Sequence, residues 1–507
     1  MSPKMIGGKE KRIEVRYLLF LLAVSTVLMT FGSMTSFLFP MHVGVDQNVF
    51  YTLGKSILDG KVMYKDIYDQ KGPLLFFMHT FAAMISGKNF LGIYLLQILN
   101  FTFILYYTGK ISELYLDKKY RSLVAAACGL IIVTAFCYSR GDNAEEFCMG
   151  FYMIGMYHLL RYFKNPEKGV SNGVMIANGI FASCILWIKF TLLGFYIGWC
   201  LVIGLSIMKR KDFMSAVKAA LLFLLGIVIG TIPYLIYFIA TDAMYDFYWG
   251  YFYTNVCMYS AKVTLLRRIQ VFFTEDILWN PVMMPVILFG LGYFVYSKEE
   301  LDSKEQKAGL VFIAICSYVF VFIGGTRYKY YLQIIGAFTV FGAIAIVKLM
   351  QGILAKWMQH KRRTLSIAVA AYLAILIVFS NCAPYYFKPA DYYPQVRISK
   401  IIKENHGTVL NYNFLDAGIY LMSGSKLPDT KFFVRQNFIR SEFPELLEEP
   451  EEIIKNKGVD YVVMRYGRGK DLDYYIETPY LLENYSEVVR YYEPIDDYHF
   501  VLFQVKK

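Results

Sequence analysis

From Asp46 to Leu74 the chain reads DQNVFYTLGKSILDGKVMYKDIYDQKGPL. Val49, Phe50, Leu53 and Ile57 recur at helical spacing until Asp59-Gly60 breaks the pattern. The spacing predicts an amphipathic helix over 46–59, of the kind that lies in a membrane interface rather than across it. The preceding stretch, 17–39, is uncharged and about 23 residues long, enough for one bilayer crossing. Lys9, Lys11, Arg12 and Arg16 stand before it. It is too long for a signal-peptide core and lacks a small-residue cleavage site, so it reads as a retained first span.

Working outward, the 507 residues are 56% hydrophobic and 18% charged, which excludes a disordered chain and argues against an ordinary soluble enzyme. Apolar blocks fall at 17–39, 90–109, 122–138, 147–163, 173–188, 190–208, 219–240, 277–297, 308–325, 331–350 and 365–382. A shorter one, 73–87, starts at Gly72-Pro73. If 73–87 does not cross and the N-terminus is cytoplasmic, the basic loops containing Lys110, Lys118, Lys119, Arg121, Lys209, Arg210, Lys211, Arg362 and Arg363 all face inward. If it crosses, the later ones face out. The bias therefore favours about eleven spans, with 73–87 lying on or re-entering from the outer face.

The expected architecture is a polytopic α-helical membrane protein of the plasma membrane. Its membrane module spans 1–383, its first outer loop is 40–89, and an extracytoplasmic α/β domain occupies 384–507. In that tail, β-rich runs (407–412, 430–435, 459–464, 486–491, 498–505) alternate with polar helical stretches such as 443–457. The net charge is +12, yet about sixteen basic residues face about nineteen acidic ones after Pro384. The excess thus belongs to the membrane part, where it sets topology and meets anionic lipid rather than nucleic acid. The eight cysteines all precede the tail without CxxC spacing, so neither zinc nor a disulfide framework is indicated.

Five polar groups share the outer face on this topology: Asp46; the segment 66–73 with Lys71; Arg140 to Glu146, with Asp142 and Glu145; Lys189; and Arg327 with Lys329. Glycosyl transfer from a lipid-phosphate donor needs such a set. The acceptor hydroxyl requires a carboxylate base. The leaving phosphate requires Lys or Arg at its oxygens.

The loop beginning at Asp46 resembles the first outer loop of GT-C membrane glycosyltransferases. More narrowly, it is similar to the bacterial protein O-mannosyltransferase and aminoarabinose-transferase branch. The resemblance implies a polyprenyl-phosphate-linked sugar donor and a lipid, cell-wall glycan or protein acceptor. It implies that Asp46 is the catalytic base. It maps a Lys-Pro-Pro-Leu-like donor element onto Lys71-Gly72-Pro73-Leu74, and further loop acids onto Asp142 or Glu145. A late motif, often His-Tyr in the family, here reads Lys329-Tyr330, a departure that bears on the role of Lys329. No metal motif is present, although some relatives place a divalent cation between loop acids.

Each residue also has a structural reading. Asp46 could cap the helix it precedes. Asp142 and Glu145 could serve the dipole of the next span, and Glu146 reads as structural. Lys71 could be an interfacial anchor, while Arg327 and Lys329 could snorkel at a span end. Lys189 sits in a very tight outer turn. His42 and His79 lack an evident partner. The aromatic stretch 246–253 reads as an interfacial belt. Two other functions compete: a transporter or flippase for a lipid-linked precursor, and a non-catalytic membrane scaffold. No internal repeat of the kind transporters show is present.

Overall fold

The computed structural model describes residues 3–210, 212–258, 263–325, 328–359, 361–434, 445–467, 469 and 471–507. Its first half is helical: α1 (Pro3–Gly32), α2 (Val45–Leu58), α3 (Pro73–Ile85), α4 (Leu91–Ser112), α5 (Arg121–Thr134), α6 (Ala144–Lys164), α7 (Asn172–Lys189), α8 (Gly194–Lys209) and α9 (Phe213–Ala240). The chain forms two compact units. One comprises Met1–Ser33, Tyr94–Pro233 and Ala261–Ala383, and the other comprises Met34–Ile93, Tyr234–Ser260 and Pro384–Lys507.

In the first unit, long apolar helices dominate. Among the described residues of the whole chain, five stretches are long and apolar enough to cross a membrane: Arg12–Gly32, Leu91–Ser112, Asn172–Lys209, Phe213–Ala240 and Lys329–Leu349. Asn172–Lys209 has 38 residues, and as a straight rod would reach about 57 Å, nearly twice a hydrocarbon core. It doubles back instead. Lys189 is extended (φ −160°, ψ 97°) and leads into a 3-10 turn, Phe190–Leu193. Asn178 pairs with His158 at 2.9 Å and Lys189 with Glu145 at 2.6 Å, so α7 runs antiparallel to α6. Tyr152 donates to the Leu192 carbonyl at 2.6 Å, Trp199 to that of Gly155 at 3.0 Å, and Tyr162 to Ser206 at 2.8 Å. These contacts set α8 parallel to α6. The two passes coincide with the apolar blocks at 173–188 and 190–208.

The expected span 277–297 is not one rod. Leu266–Trp279 and Met283–Tyr296 meet at 112°, with the break at Asn280-Pro281 (Asn280 φ −120°, ψ 63°), where a proline keeps its predecessor out of helix. The span expected at 331–350 opens as a ten-residue 3-10 segment, Lys329–Phe338, before the helix Thr339–Leu349. Helices Met283–Tyr296 and Thr339–Leu349 touch backbone to backbone: a Cβ on Gly290 would lie 2.1 Å from the Gly342 nitrogen.

In the second unit, α2 and α3 pack together. A Cβ on Gly54 would lie 2.6 Å from the His79 carbonyl carbon, so only glycine permits the approach. Phe50 meets Phe76 and His79 edge-on. The 13 residues of α3 span about 20 Å, short of a hydrocarbon core. The C-terminal part carries a four-stranded sheet of order β1-β2-β4-β3, from β1 (Val409–Tyr412), β2 (Tyr461–Gly467), β3 (Tyr485–Glu493) and β4 (Tyr498–Val505). β1 pairs parallel to β2, and the remaining pairs are antiparallel. Leu410, Val462, Met464, Val501 and Phe503 form its core with Ile454 and Leu481. The run expected as a strand at 430–435 makes turns and bends over its described residues. Phe433 and Val434 are buried there, so their apolar character serves packing rather than a ladder.

Candidate functional site

The expected site residues fall into two groups, one in each unit. Arg327 lies outside the described residues.

In the second unit, Asp46 stands in the first turn of α2, whose N-cap is Gly44. Gly44, not Asp46, holds the N-cap position, and an acid in the first turn suits the helix dipole. The loop at 62–71 closes on the same helix. Tyr64 adopts φ 66° and its hydroxyl donates to the Lys71 carbonyl. Asp69 accepts the Lys71 N–H at 2.9 Å, and both side chains are buried. Burial pushes the Asp69 carboxyl above the usual range. The Lys71 charge and N–H pull it down, and the charge of Asp46 pushes it up again. Lys71 Nζ sits 5.8 Å from the Phe50 ring centre. Lys71 immediately precedes Gly72, the N-cap of α3, and Pro73 in its first turn. A helix N-terminus beside a lysine is a ready anion site.

The loop is clasped by a π-helical segment, Tyr248–Met258. Asn255 donates to the Gln70 carbonyl at 2.7 Å, and Tyr68 donates to Thr254 at 3.1 Å. A Cβ on Gly250 would lie 2.7 Å from the Tyr64 ring. Tyr251 is buried while Tyr245 and Tyr248 are exposed. The stretch read as a belt therefore uses one side to hold the loop. π-Segments recur at functional sites, but nothing in local composition marks this one.

In the first unit, Asp142 has φ 59° and follows Gly141 at φ 82°. This backbone reverses sharply ahead of α6 and buries Asp142, Asn143, Glu145 and Glu146 completely or nearly so. Glu146 accepts the Asp142 N–H at 3.0 Å and both bonds of the Gln97 amide, so it holds the turn, as its structural reading expects. Asn143 donates to Gln333 at 3.0 Å. Glu145 Oε1 accepts from Lys189 Nζ, which lies 3.2 Å from the Tyr331 ring centre. Among the described residues, Glu145 Oε2 and Gln333 Nε2 are buried without a hydrogen-bond partner. A matched acceptor and donor left open in this way point to a polar ligand or water. Sequence reasoning did not single out Gln97, Gln333 or Asn255, whose partners are distant in the chain.

Lys329 is exposed, its Nζ 4.4 Å from the Phe136 ring centre and 5.2 Å from that of Trp279. The 3-10 segment it opens contributes Ile335 and Phe338 to an apolar groove of about 620 Å³. Met284, Leu288, Gly292 and Val319 also line it, and Arg267 and Arg268 stand at its wall. His79 is spent on the Leu75 carbonyl at 2.8 Å. Among the described residues, no group of three or more His, Cys, Asp or Glu is placed to hold a metal ion.

The fold is similar to that of ArnT. ArnT from Cupriavidus metallidurans, in its crystal structure bound to undecaprenyl phosphate, matches 96% of this chain and 97% of its own at TM-score 0.59 and 13% identity. The apo state of ArnT matches 97% and 98% at TM-score 0.57 and 12% identity. The likeness to ArnT extends over nearly all of the chain and shows that the two share a fold; the long apolar helices agree with an integral membrane protein. No protein-family model matches the sequence, and no curated protein sequence is significantly similar to it.

Proposed function

We propose that the protein is a membrane glycosyltransferase. It moves a sugar from a polyprenyl-phosphate carrier to a lipid, cell-wall glycan or protein acceptor on the outer face, with residues 384–507 as an extracytoplasmic domain. The observation that carries this reading is the buried Lys71, its N–H held by Asp69 and its position immediately before the α3 N-terminus, with Asp46 in the first turn of the adjoining helix α2. Asp46 would supply the carboxylate base, and Lys71 with the helix dipole the positive charge for a leaving phosphate. Asp46 takes the acceptor proton and the attack inverts the anomeric carbon. Lys71 holds the phosphate, with Lys329 and Arg327 as further cations. Asp142 and Glu145 orient sugar or acceptor hydroxyls, with Glu145 Oε2 and Gln333 Nε2 as open partners.

Undecaprenyl phosphate in ArnT supports the choice of donor. So does the apolar groove beside the segment of Lys329, a fitting bed for an isoprenoid chain. The test is reconstitution in vesicles with a labelled undecaprenyl-phosphate-linked sugar. Transfer of label to an acceptor supports the reading. Movement of intact donor across the bilayer without transfer would favour a flippase.

A further inference from the structure

We propose that Asp416, in the C-terminal part of the chain, is a positioning residue that seats α2 and so fixes the placement of Asp46. Thr52 donates to Asp416 Oδ2 at 2.6 Å. Asp416 Oδ1 accepts the Gly418 N–H at 2.8 Å and the Asn411 side-chain amide at 3.4 Å. Asp416 is fully buried, and Thr52 and Asn411 nearly so. The bond from Thr52 joins positions 364 residues apart in sequence.

One turn earlier on α2, Asn48 packs under Gly418, where a Cβ would come 2.8 Å from Asn48 Oδ1. Gly418 has φ 85°, so the left-handed turn and the close approach both require glycine. Asn48 in turn ties the start of the helix, donating to the carbonyls of His42 at 2.7 Å and Gly44 at 2.6 Å. Asn48 and Thr52 are four residues apart and share one helix face, whereas Asp46 projects from a different side. The 411–418 turn therefore grips α2 from behind Asp46.

A buried carboxylate is costly unless its oxygens are satisfied, and donors from Thr52, Gly418 and Asn411 converge on this one. Leucine packing would hold the helix less specifically, since it fixes neither rotation nor register. In this account the C-terminal part contributes to the reaction through the angle of α2 rather than by touching substrate. The catalytic consequence rests on the glycosyltransferase reading, whereas the seating does not.

The test uses the full chain in nanodiscs. Hydrogen exchange of α2 amides is followed in Thr52→Val, Asp416→Leu and Asp416→Asn. The asparagine keeps an acceptor for Gly418 and offers an N–H that Thr52 Oγ1 can accept. The expected result is α2 exchange at least about tenfold faster in Thr52→Val and Asp416→Leu, with α6 unchanged and Asp416→Asn close to wild type. Under sugar-transfer assay, Thr52→Val lowers kcat and leaves the donor KM within about twofold. Should Asp416→Leu fail to fold, Thr52→Val alone decides. Wild-type α2 exchange in Thr52→Val would overturn the proposal. A wild-type protein that transfers no sugar would sink the enzymatic reading, and the exchange measurement would still decide the seating.

Discussion

Lys189 Nζ lies 2.6 Å from Glu145 Oε1, with Glu145 fully buried and Lys189 nearly so. The two residues come from different turns, 44 positions apart. Breaking such a pair from one side strands a charge. Lys189→Met is expected to cost about 3–5 kcal/mol, and the double variant with Glu145→Gln less than Lys189→Met alone. Thermal unfolding of the detergent-solubilised single and double variants measures this. Equal losses in the two would contradict it.

That pair also shows what the sequence could and could not reveal. Hydropathy placed the helices, because burial in lipid demands long apolar runs. It also separated α7 from α8, because Lys189 interrupts the run. Hydropathy does not register the 112° break in 266–296, whose mark in the sequence is the Asn280-Pro281 pair inside an otherwise apolar run. The loop residues were readable as types: Asp46, Lys71, Asp142, Glu145 and Lys329 are polar groups where an apolar chain has no need of them. Their partners were not. Gln97, Asn255 and Gln333 look like ordinary amides until folding brings them to Glu146, Gln70 and Asn143. The apolar run at 430–435 has strand composition, yet Phe433 and Val434 go to packing.

Burial pushes the Asp416 carboxyl up to about 6, against the opposing bonds from Thr52, Gly418, Ile419 and Asn411. A carboxyl raised in the folded state binds its proton more tightly there than in the unfolded chain. Its contribution to stability is full below the unfolded value near 4 and is lost as pH rises through about 6. The size is on the order of 3 kcal/mol. Asp69 is raised as well and adds a slope of the same sign. Melting temperature is expected to fall between pH 4 and pH 6.5 in wild type, and less steeply in Asp416→Asn. Parallel slopes would count against the assignment.

Gly292 borders the apolar groove, and a Cβ there meets open space. Gly292→Trp is expected to fold and to fill the groove. If the groove holds the isoprenoid, the KM for an undecaprenyl-linked donor rises about tenfold or more, while a donor with a short isoprenoid changes little. Equal effects on both donors would remove the groove from the account.

Asn255 holds the Gln70 carbonyl at 2.7 Å. Asn255→Ala frees that carbonyl and loosens the turn that presents Lys71. A stability loss of about 1–2 kcal/mol is expected, with a higher donor KM and a smaller change in kcat. Titration of purified variant and wild type with labelled undecaprenyl phosphate checks the binding part directly.

Asp46 is proposed as the base. Its most direct measurement compares Asp46→Asn with wild type in reconstituted vesicles carrying a labelled undecaprenyl-phosphate-linked sugar, scoring transfer and donor binding together. Transfer is expected to fall by about 10²–10⁴-fold while donor affinity stays within about threefold. Transfer at the wild-type rate by Asp46→Asn would contradict it.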